Sequence, residues 1–376
     1  MNVLYFSLGK ANPNSANGIN QVIIGLASNL NKFPDVKVQV LSLSRKQVKP
    51  YQLIQRNGFV VHCYNSFKGV LDFISKNNKG YDLVHLHNAW TIENDRLAIM
   101  LRKYKLPYII SIHASLTTDR MLRSNYYAKK LYHHLIQSRT FSNALALHAT
   151  TYEEQLDIVK YSKTKIITHP NGVMNNEIIK KPKTYVQDKL SKLRGLYVGR
   201  FAKEKNIQGL INAVALLPQK YRDVLDIDLV GPKTEAVEKL IAKHELKGVV
   251  HLQGSMFGEE RESFIKNADF FIHTAFSDAC PTSFVYALSQ GLPAIITRSS
   301  MVSYFYKYNA FYMVEPLVED IARGLKKLID NKVELAGMSE SALKLVNKEL
   351  NWEVISLNLL SDYEKLLSEY NKPLVA

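Results

Sequence analysis

The sequence predicts two doubly wound α/β domains joined by a linker, and three observations point there. Short apolar runs alternate with amphipathic helical segments along nearly the whole chain. The alternation stops at Asn175–Lys192, a stretch rich in Lys, Pro and Gln without an apolar period, and then restarts. The 376 residues are too many for one ordinary core and about right for two.

In the first half, Val3–Leu8 reads as a strand and Gly9–Asn17 as a polar loop. Gly18-Ile19 opens a helix with Val22, Ile23, Leu26 and Leu30 at helical spacing. Lys37–Leu43 and Phe59–His62 read as strands, and Val70–Ile74 lies on a helix. Asp82–His87 and Tyr108–His113 are strands that end in histidines; Leu145–Thr150 and Lys165–His169 complete the set. Strands alternating with helices at this spacing imply a parallel sheet. Tyr126–Phe141 reads as a helix of basic and aromatic character, with Arg120, Arg123, Lys129, Lys130, His133, His134 and Arg139 on or near it. Such a helix lies in a membrane interface or packs through its Leu and Tyr face.

In the second half, Gly195–Val198, Ile227–Val230, Val249–Leu252 and Phe270–Thr274 read as strands. Helices are expected at Ile207–Leu217, Thr234–His244 and Arg261–Asn267. The stretch Ser277–Thr297 then reads as loop, helix, Gly291-Leu292-Pro293 turn and strand. Phe311–Val314 is a further strand; Ile321–Ile329, Leu335–Val346 and Trp352–Tyr370 are helices.

Composition narrows the class. Hydrophobic residues at 46% and charged residues at 22% fit a globular chain. No apolar run approaches the roughly 18 residues that span a bilayer. The start MNVLYFSLGK reads directly as a strand, so no signal peptide is expected. Cys63 and Cys280 form no CxxC pair, which suits a reduced, cytoplasmic chain. The net charge of +15 favours anionic partners, yet no finger spacing or RNP-like strand points to nucleic acid.

Candidate chemistry sits at the expected C-terminal ends of strands, where open α/β sheets bind ligands. Gly199 allows close backbone approach, and Arg200 and Lys205 in the same loop can converge on one phosphate, although two loop cations are also ordinary surface. Gly18 at a helix start offers bare amides. His85, His87 and His113 end strands without a carboxylate or cysteine at metal-ligand spacing, so His113 is read by position as a substrate contact and no metal is expected. Asp226 and Asp228 stand at a strand start, away from the site, and read as solvated. GxGxxG and GxxxxGK[ST] are both missing, against a dinucleotide enzyme or a P-loop NTPase.

Taken together these segments resemble the retaining glycosyltransferases of family four, which have the GT-B fold of two Rossmann-like domains. VGRFAKEKNIQGLINAVALL is similar to the family's phosphate loop, and SDACPTSFVYALSQGLPAI to its donor signature. HPNGV at His169–Val173 is similar to its proline-asparagine-glycine turn, and Asn17-Gly18-Ile19 sits at its first glycine-rich loop. PYIISIHASL and KKLYHHLIQSRTFSNALALHATTYEEQ resemble a subgroup of bacterial surface-polysaccharide clusters, and LNWEVISLNLLSDYEKL the last helix, which crosses back to the first domain.

The resemblance implies an acceptor domain over residues 1–180, completed by a helix over 355–376, and a nucleotide-sugar domain over 181–354. It implies that Arg200 and Lys205 hold the donor diphosphate with the amides of Thr282 and Ser283, and that Gly18 and Gly199 line the same group. His113 and Asp278 would contact the transferred sugar, and the base would lie near Gly254 and Met256. Transfer would retain anomeric configuration, take a UDP- or GDP-linked sugar as co-substrate and need no metal or other cofactor. The acceptor would be a saccharide, carried on a polyprenyl lipid at the inner face of the plasma membrane, for capsule, O-antigen or lipopolysaccharide. Two positions depart from the pattern. Asp278 is a methylene shorter than the usual glutamate. Tyr286 replaces the glutamate that accepts from both ribose hydroxyls, and a phenol cannot grip a diol in that way. Tyr286 motivates an alternative, a catalytically silent nucleotide-binding subunit of a partner transferase; a GT-B epimerase or phosphorylase is a third.

Overall fold

Continuous apolar runs become the buried strands of two sheets in the computed structural model, which describes residues 1–9, 18–56, 58–123, 125–185, 192–256 and 258–372. The expected loop at residues 10–17 and most of the second half of the expected linker, 186–191, lie outside the described residues. The chain forms two units, Met1–Asn171 with Trp352–Ala376, and Gly172–Asn351. Both divisions fall earlier than the expected 180/181 and 354/355. Val173 already bridges to Asn351 and buries its side chain in the second unit's core, whereas Trp352 turns back to pack on the first unit's Gly25.

The first unit carries eight strands: β1 (Asn2–Leu8), β2 (Lys37–Leu43), β3 (Tyr51–Arg56), β4 (Phe59–Tyr64), β5 (Leu83–His87), β6 (Tyr108–Ser111), β7 (Ala146–Ala149) and β8 (Ile166–Thr168). Their order is β3-β4-β2-β1-β5-β6-β7-β8, with every pairing parallel except β3 against β4. The antiparallel edge strand is an addition to the parallel sheet expected. Its residues, YQLIQR, lie mostly exposed and carry no apolar alternation. The helix Trp352–Asn371 closes this unit, burying Leu359, Tyr363 and Leu366. Gly25 on the helix Gly18–Leu30 makes room for it: a Cβ there would stand 2.2 Å from the Trp352 ring.

The second unit carries β9 (Leu193–Val198), β10 (Leu225–Val230), β11 (Val250–Gly254), β12 (Phe270–His273), β13 (Ala294–Thr297) and β14 (Phe311–Val314). All are parallel, in the order β11-β10-β9-β12-β13-β14. One apolar layer packs the helices Ile207–Leu216 and Val318–Asp330 on the sheet, and the other packs Thr282–Ser289 and Leu335–Glu349. Asp226, at the solvent-facing start of β10, pairs with Lys192 at 3.1 Å and His251 at 3.3 Å.

The basic segment is helical but not uniform. Tyr126–Tyr132 is α-helical, His133–Gln137 widens into a π turn, and Ser138–Ser142 resumes the α form. Its face packs only in part: Tyr132 meets the Trp90 ring with 6.2 Å between centroids, whereas Tyr127 is 84% exposed, Leu131 59% and Leu135 65%. No helix among the described residues is long and apolar enough to cross a membrane.

Candidate active site

In the second unit the strand order reverses between β9 and β12, so the space beyond their C-terminal ends is the switch point at which open α/β sheets bind ligands. Two loops leave there. The first follows β9. At Gly199 a side chain would stand 2.7 Å from the Tyr197 hydroxyl, so the position has to stay bare. Arg200 is 56% exposed, and its guanidinium reaches Glu204 only at 3.6 Å. Lys203–Lys205 form one 3-10 turn, ended by Asn206 at φ 55, whose side chain accepts from Gly209 N at 3.2 Å and caps the next helix.

The second loop follows β12. Its amides at Asp278 and Cys280 donate to Ser299 and Ser300 carbonyls, both at 3.1 Å, which pins the loop to the end of β13. Asp278 is paired with Lys205, and His273, buried at the end of β12, donates its Nε2–H to the same carboxylate oxygen at 3.1 Å. The other oxygen accepts from Ala279 N at 3.1 Å. Burial opposes the charge of Asp278, yet Lys205 and then His273 outweigh it and hold the carboxyl well below the usual range. Burial pushes His273 down against the pull of Asp278, so the imidazole stays neutral. Thr282 and Ser283 open the helix Thr282–Ser289, whose start has no side-chain cap.

Lys205 and Asp278 are therefore brought together, with Arg200 on the β9 loop and Thr282 and Ser283 on the helix that follows β12. Gly254, at φ 90, ends β11, with β10 lying between it and β9, and Met256 packs on the core beyond it. Tyr286 lies one turn into its helix. The Arg261 guanidinium stands 5.1 Å from its ring centroid, and burial raises the phenol's pKa with the charges of Glu177 and Glu262 adding to it.

In the first unit the order reverses between β1 and β5. Gly18 is exposed at the start of its helix. His113 does not end a strand as expected. β6 stops at Ser111, and His113 and Ala114 follow at φ 52 and 60. Left-handed backbone at non-glycine residues costs about 1–3 kcal/mol each unless the surroundings fix it. Here buried Glu154 fixes it, accepting from Ala114 N at 2.5 Å, Thr150 N at 2.6 Å and Thr150 Oγ1 at 2.7 Å. Burial raises the pKa of Glu154 and these donors oppose it.

Beneath His113 runs a buried hydrogen-bond chain whose direction one carbonyl decides. His148 Nε2 lies 3.2 Å from the His169 carbonyl, which can only accept, so His148 carries its proton there. Neutral His148 then accepts at Nδ1 from the Ser111 hydroxyl at 2.6 Å. Ser111 Oγ accepts from His85 Nε2–H at 2.7 Å, and His85 Nδ1 accepts from the Tyr363 hydroxyl at 2.6 Å. Tyr363 in turn accepts from Tyr5 at 3.1 Å. Burial first, then the neighbouring imidazoles, keeps His85, His87 and His148 far below their ordinary pKa, and burial with the charge of Arg120 brings His113 to about 4. His169 Nε2 donates to Asp362 at 2.8 Å.

Sequence reasoning missed Glu154, His273 and Arg261 as parts of these sites, and singled out His87 only as a strand-end histidine. Thr151-x-x-Glu154 carries capping-box spacing, the one local signal available for Glu154. His273 stands at a strand end, by the same rule that selected His113. Among the described residues no group of three or more His, Cys, Asp or Glu is placed to hold a metal.

Comparison with known proteins assigns each half separately. Residues 16–175 match the family model described as Glycosyltransferase Family 4, and residues 181–345 the model described as Glycosyl transferases group 1. The uncharacterized glycosyltransferase MJ1178 of Methanocaldococcus jannaschii is 23% identical over 82% of this chain and 81% of its own length. Alpha-monoglucosyldiacylglycerol synthase of Acholeplasma laidlawii is 22% identical over 78% and 77%. Among solved structures, sucrose-phosphate synthase from Thermosynechococcus elongatus superposes with a TM-score of 0.78 at 16% identity, covering 98% of this chain and 99% of that one. Anabaena Alr3699/HepE in complex with UDP superposes with a TM-score of 0.72 at 14% identity, covering 97% and 100%.

Proposed function

The chain belongs to the group 1 glycosyltransferases with a family-four N-terminal half and the GT-B fold, and from that premise we propose that it is a retaining, metal-independent hexosyltransferase. It moves a sugar from a UDP- or GDP-linked donor to a saccharide acceptor. The observation that carries this reading is the meeting of Lys205, Asp278 and the uncapped helix start at Thr282 beside the β9/β12 switch point.

In the proposed reaction the donor diphosphate takes the place of Asp278 as the anion facing Lys205. Arg200 swings from its loose contact with Glu204 to form a fork on the same group, and the Thr282 and Ser283 amides complete the set. These groups stabilise the charge that builds as the bond from the anomeric carbon to the phosphate oxygen breaks. The acceptor oxygen bonds to that carbon on the same face, and its proton passes to the departing phosphate oxygen. His113 and Asp278, released from Lys205, hold sugar hydroxyls. The base lies near Gly254 and Met256, and Tyr286 gives the ribose one hydrogen bond with Arg261 behind its ring.

We place the acceptor on a lipid carrier for a surface polysaccharide. The exposed Tyr127, Leu131 and Leu135 beside the exposed Lys130 supply an apolar ridge with a cationic flank, suited to an anionic leaflet. The relative from Acholeplasma laidlawii is by name a synthase of a glycolipid, alpha-monoglucosyldiacylglycerol, which supports a lipid acceptor.

The test is a panel of UDP-glucose, UDP-galactose, UDP-N-acetylglucosamine and GDP-mannose with lipid-linked and free saccharide acceptors, read by nucleotide release and melting temperature. One donor is expected to raise the melting temperature and be consumed. No binding and no turnover across the panel would remove the reading. Binding without turnover would favour a silent nucleotide-binding subunit.

A further inference from the structure

His87 ends β5 with its imidazole buried, and its Nδ1 lies 3.0 Å from Nε2 of His113. One nitrogen of that pair has to donate. The other nitrogen of His87, Nε2, is buried and has no hydrogen-bond partner. A proton there would strand an N–H donor away from water, which folded proteins avoid more strictly than a stranded lone pair. The His87 ring also stacks on His85 at 4.4 Å and packs on Tyr5 at 5.1 Å, surroundings that hold it in one orientation and neutral. Its proton therefore sits on Nδ1, and His87 donates to His113. Accepting at Nε2, neutral His113 keeps its own proton on Nδ1, the nitrogen that the pair leaves free.

We propose that His87 is a positioning residue that fixes His113 as an Nδ1–H donor to the transferred sugar. The inference rests on the reading that His113 contacts that sugar. Two devices then act on one side chain: Glu154 fixes the left-handed backbone at His113–Ala114, and His87 fixes the tautomer. A ring free to exchange tautomers would present a lone pair to the sugar part of the time. The locked one always presents a donor, which needs no reorganisation as charge moves on the sugar.

The experiment combines a spectrum with kinetics. Long-range proton–nitrogen correlation of histidine-labelled protein at neutral pH is expected to show His113 protonated at Nδ1 and bare at Nε2. A His113 protonated at Nε2 in the unmodified protein overturns the proposal. His87→Leu removes the donor, and His87→Asn restores an N–H close to the Nδ1 position. With UDP-glucose, or whichever panel donor is consumed fastest, His87→Leu is expected to lower kcat about tenfold or more. KM should stay within about twofold, with His87→Asn recovering most of the rate. Equal losses in both variants with an unchanged His113 spectrum assign His87 to the fold alone and overturn the proposal. If His87→Leu does not fold, the unmodified spectrum and the His87→Asn rate still decide. A wild-type rate in His113→Ala, beside the expected tautomer, locates the failure in the reading of His113 as a sugar contact.

Discussion

The Lys205 ammonium and the Asp278 carboxylate are ion-paired at the junction of β9 and β12, so the cation of the β9 loop is already neutralised before a ligand arrives. His273 supports the carboxylate from below, which makes Asp278 a built-in stand-in for the anion that Lys205 is expected to bind. The two partners should therefore behave differently when changed. Lys205→Ala is expected to weaken UDP binding by about 1.5–3 kcal/mol, the worth of a charge-assisted hydrogen bond. Asp278→Asn frees the lysine, so UDP binding should hold or tighten while sugar transfer falls. Calorimetry with UDP beside a turnover assay checks both. Parallel losses of UDP affinity in the two variants would show that Asp278 does not compete for the lysine.

In the proposed complex Arg200 serves the diphosphate and Tyr286 the ribose. Arg200→Ala should weaken nucleotide binding more than tenfold, because an exposed guanidinium with a loose partner is free to form a fork on a phosphate. Tyr286→Phe keeps the ring beneath Arg261 and loses one neutral hydrogen bond, so it should cost less than tenfold. A titration with UDP that gives equal losses would move the nucleotide anchor to Tyr286.

Stability should fall as the solution is acidified through pH 6.5. Burial lowers the pKa of His85, His87, His113, His148 and His169 in the folded chain, while unfolded histidine titrates near 6.5. Above that pH both states are neutral and the stability is fully present. Below it the unfolded chain takes up protons that the folded chain refuses, each such histidine removing up to about 1.4 kcal/mol per pH unit. Denaturant midpoints at pH 7.5, 6 and 5 should drop steeply between the last two. A flat series would mean that the imidazoles are charged or open to water in the fold.

Tyr363→Phe is expected to destabilise the protein by about 1–3 kcal/mol, because it strands His85 Nδ1 and the Tyr5 hydroxyl in a dry interior. Chemical unfolding reads this directly. Tyr370→Phe is the control, since that hydroxyl reaches the Lys105 carbonyl only at an exposed 3.4 Å.

Leu131→Ser with Leu135→Ser should cut sedimentation with phosphatidylglycerol vesicles by tenfold or so and leave the melting temperature within a degree or two, because both side chains already lie in water. Equal binding of the parent to neutral phosphatidylcholine vesicles would remove the case for an anionic leaflet.

The fold was legible wherever burial imposes a pattern. Val3–Phe6, Tyr108–Ile110 and Phe270–Ile272 are apolar because both faces of their sheets are covered. β3 escaped because an edge strand with exposed faces needs no apolar period; the Asn57-Gly58 dipeptide in the sequence was the available hairpin signal. Of the site, Lys205 and Asp278 were both singled out, but the pairing of residues 73 positions apart is a product of topology. The same holds for the Tyr5–Tyr363 contact, which spans 358 positions, and for the His87–His113 pair, whose meaning depends on which nitrogen is buried.

The long reach of Tyr363 sets a timetable for synthesis. β1 holds Tyr5, and its hydrogen-bond partner follows 358 residues later. At the usual elongation speeds that interval is roughly 20–70 s. The middle of the chain, Gly172–Asn351, is contiguous and can close as soon as it has emerged. The earliest-made unit is thus the last to be finished, and through that wait the surface meant for Leu359, Tyr363 and Leu366 stays open to chaperones, proteases and neighbouring nascent chains.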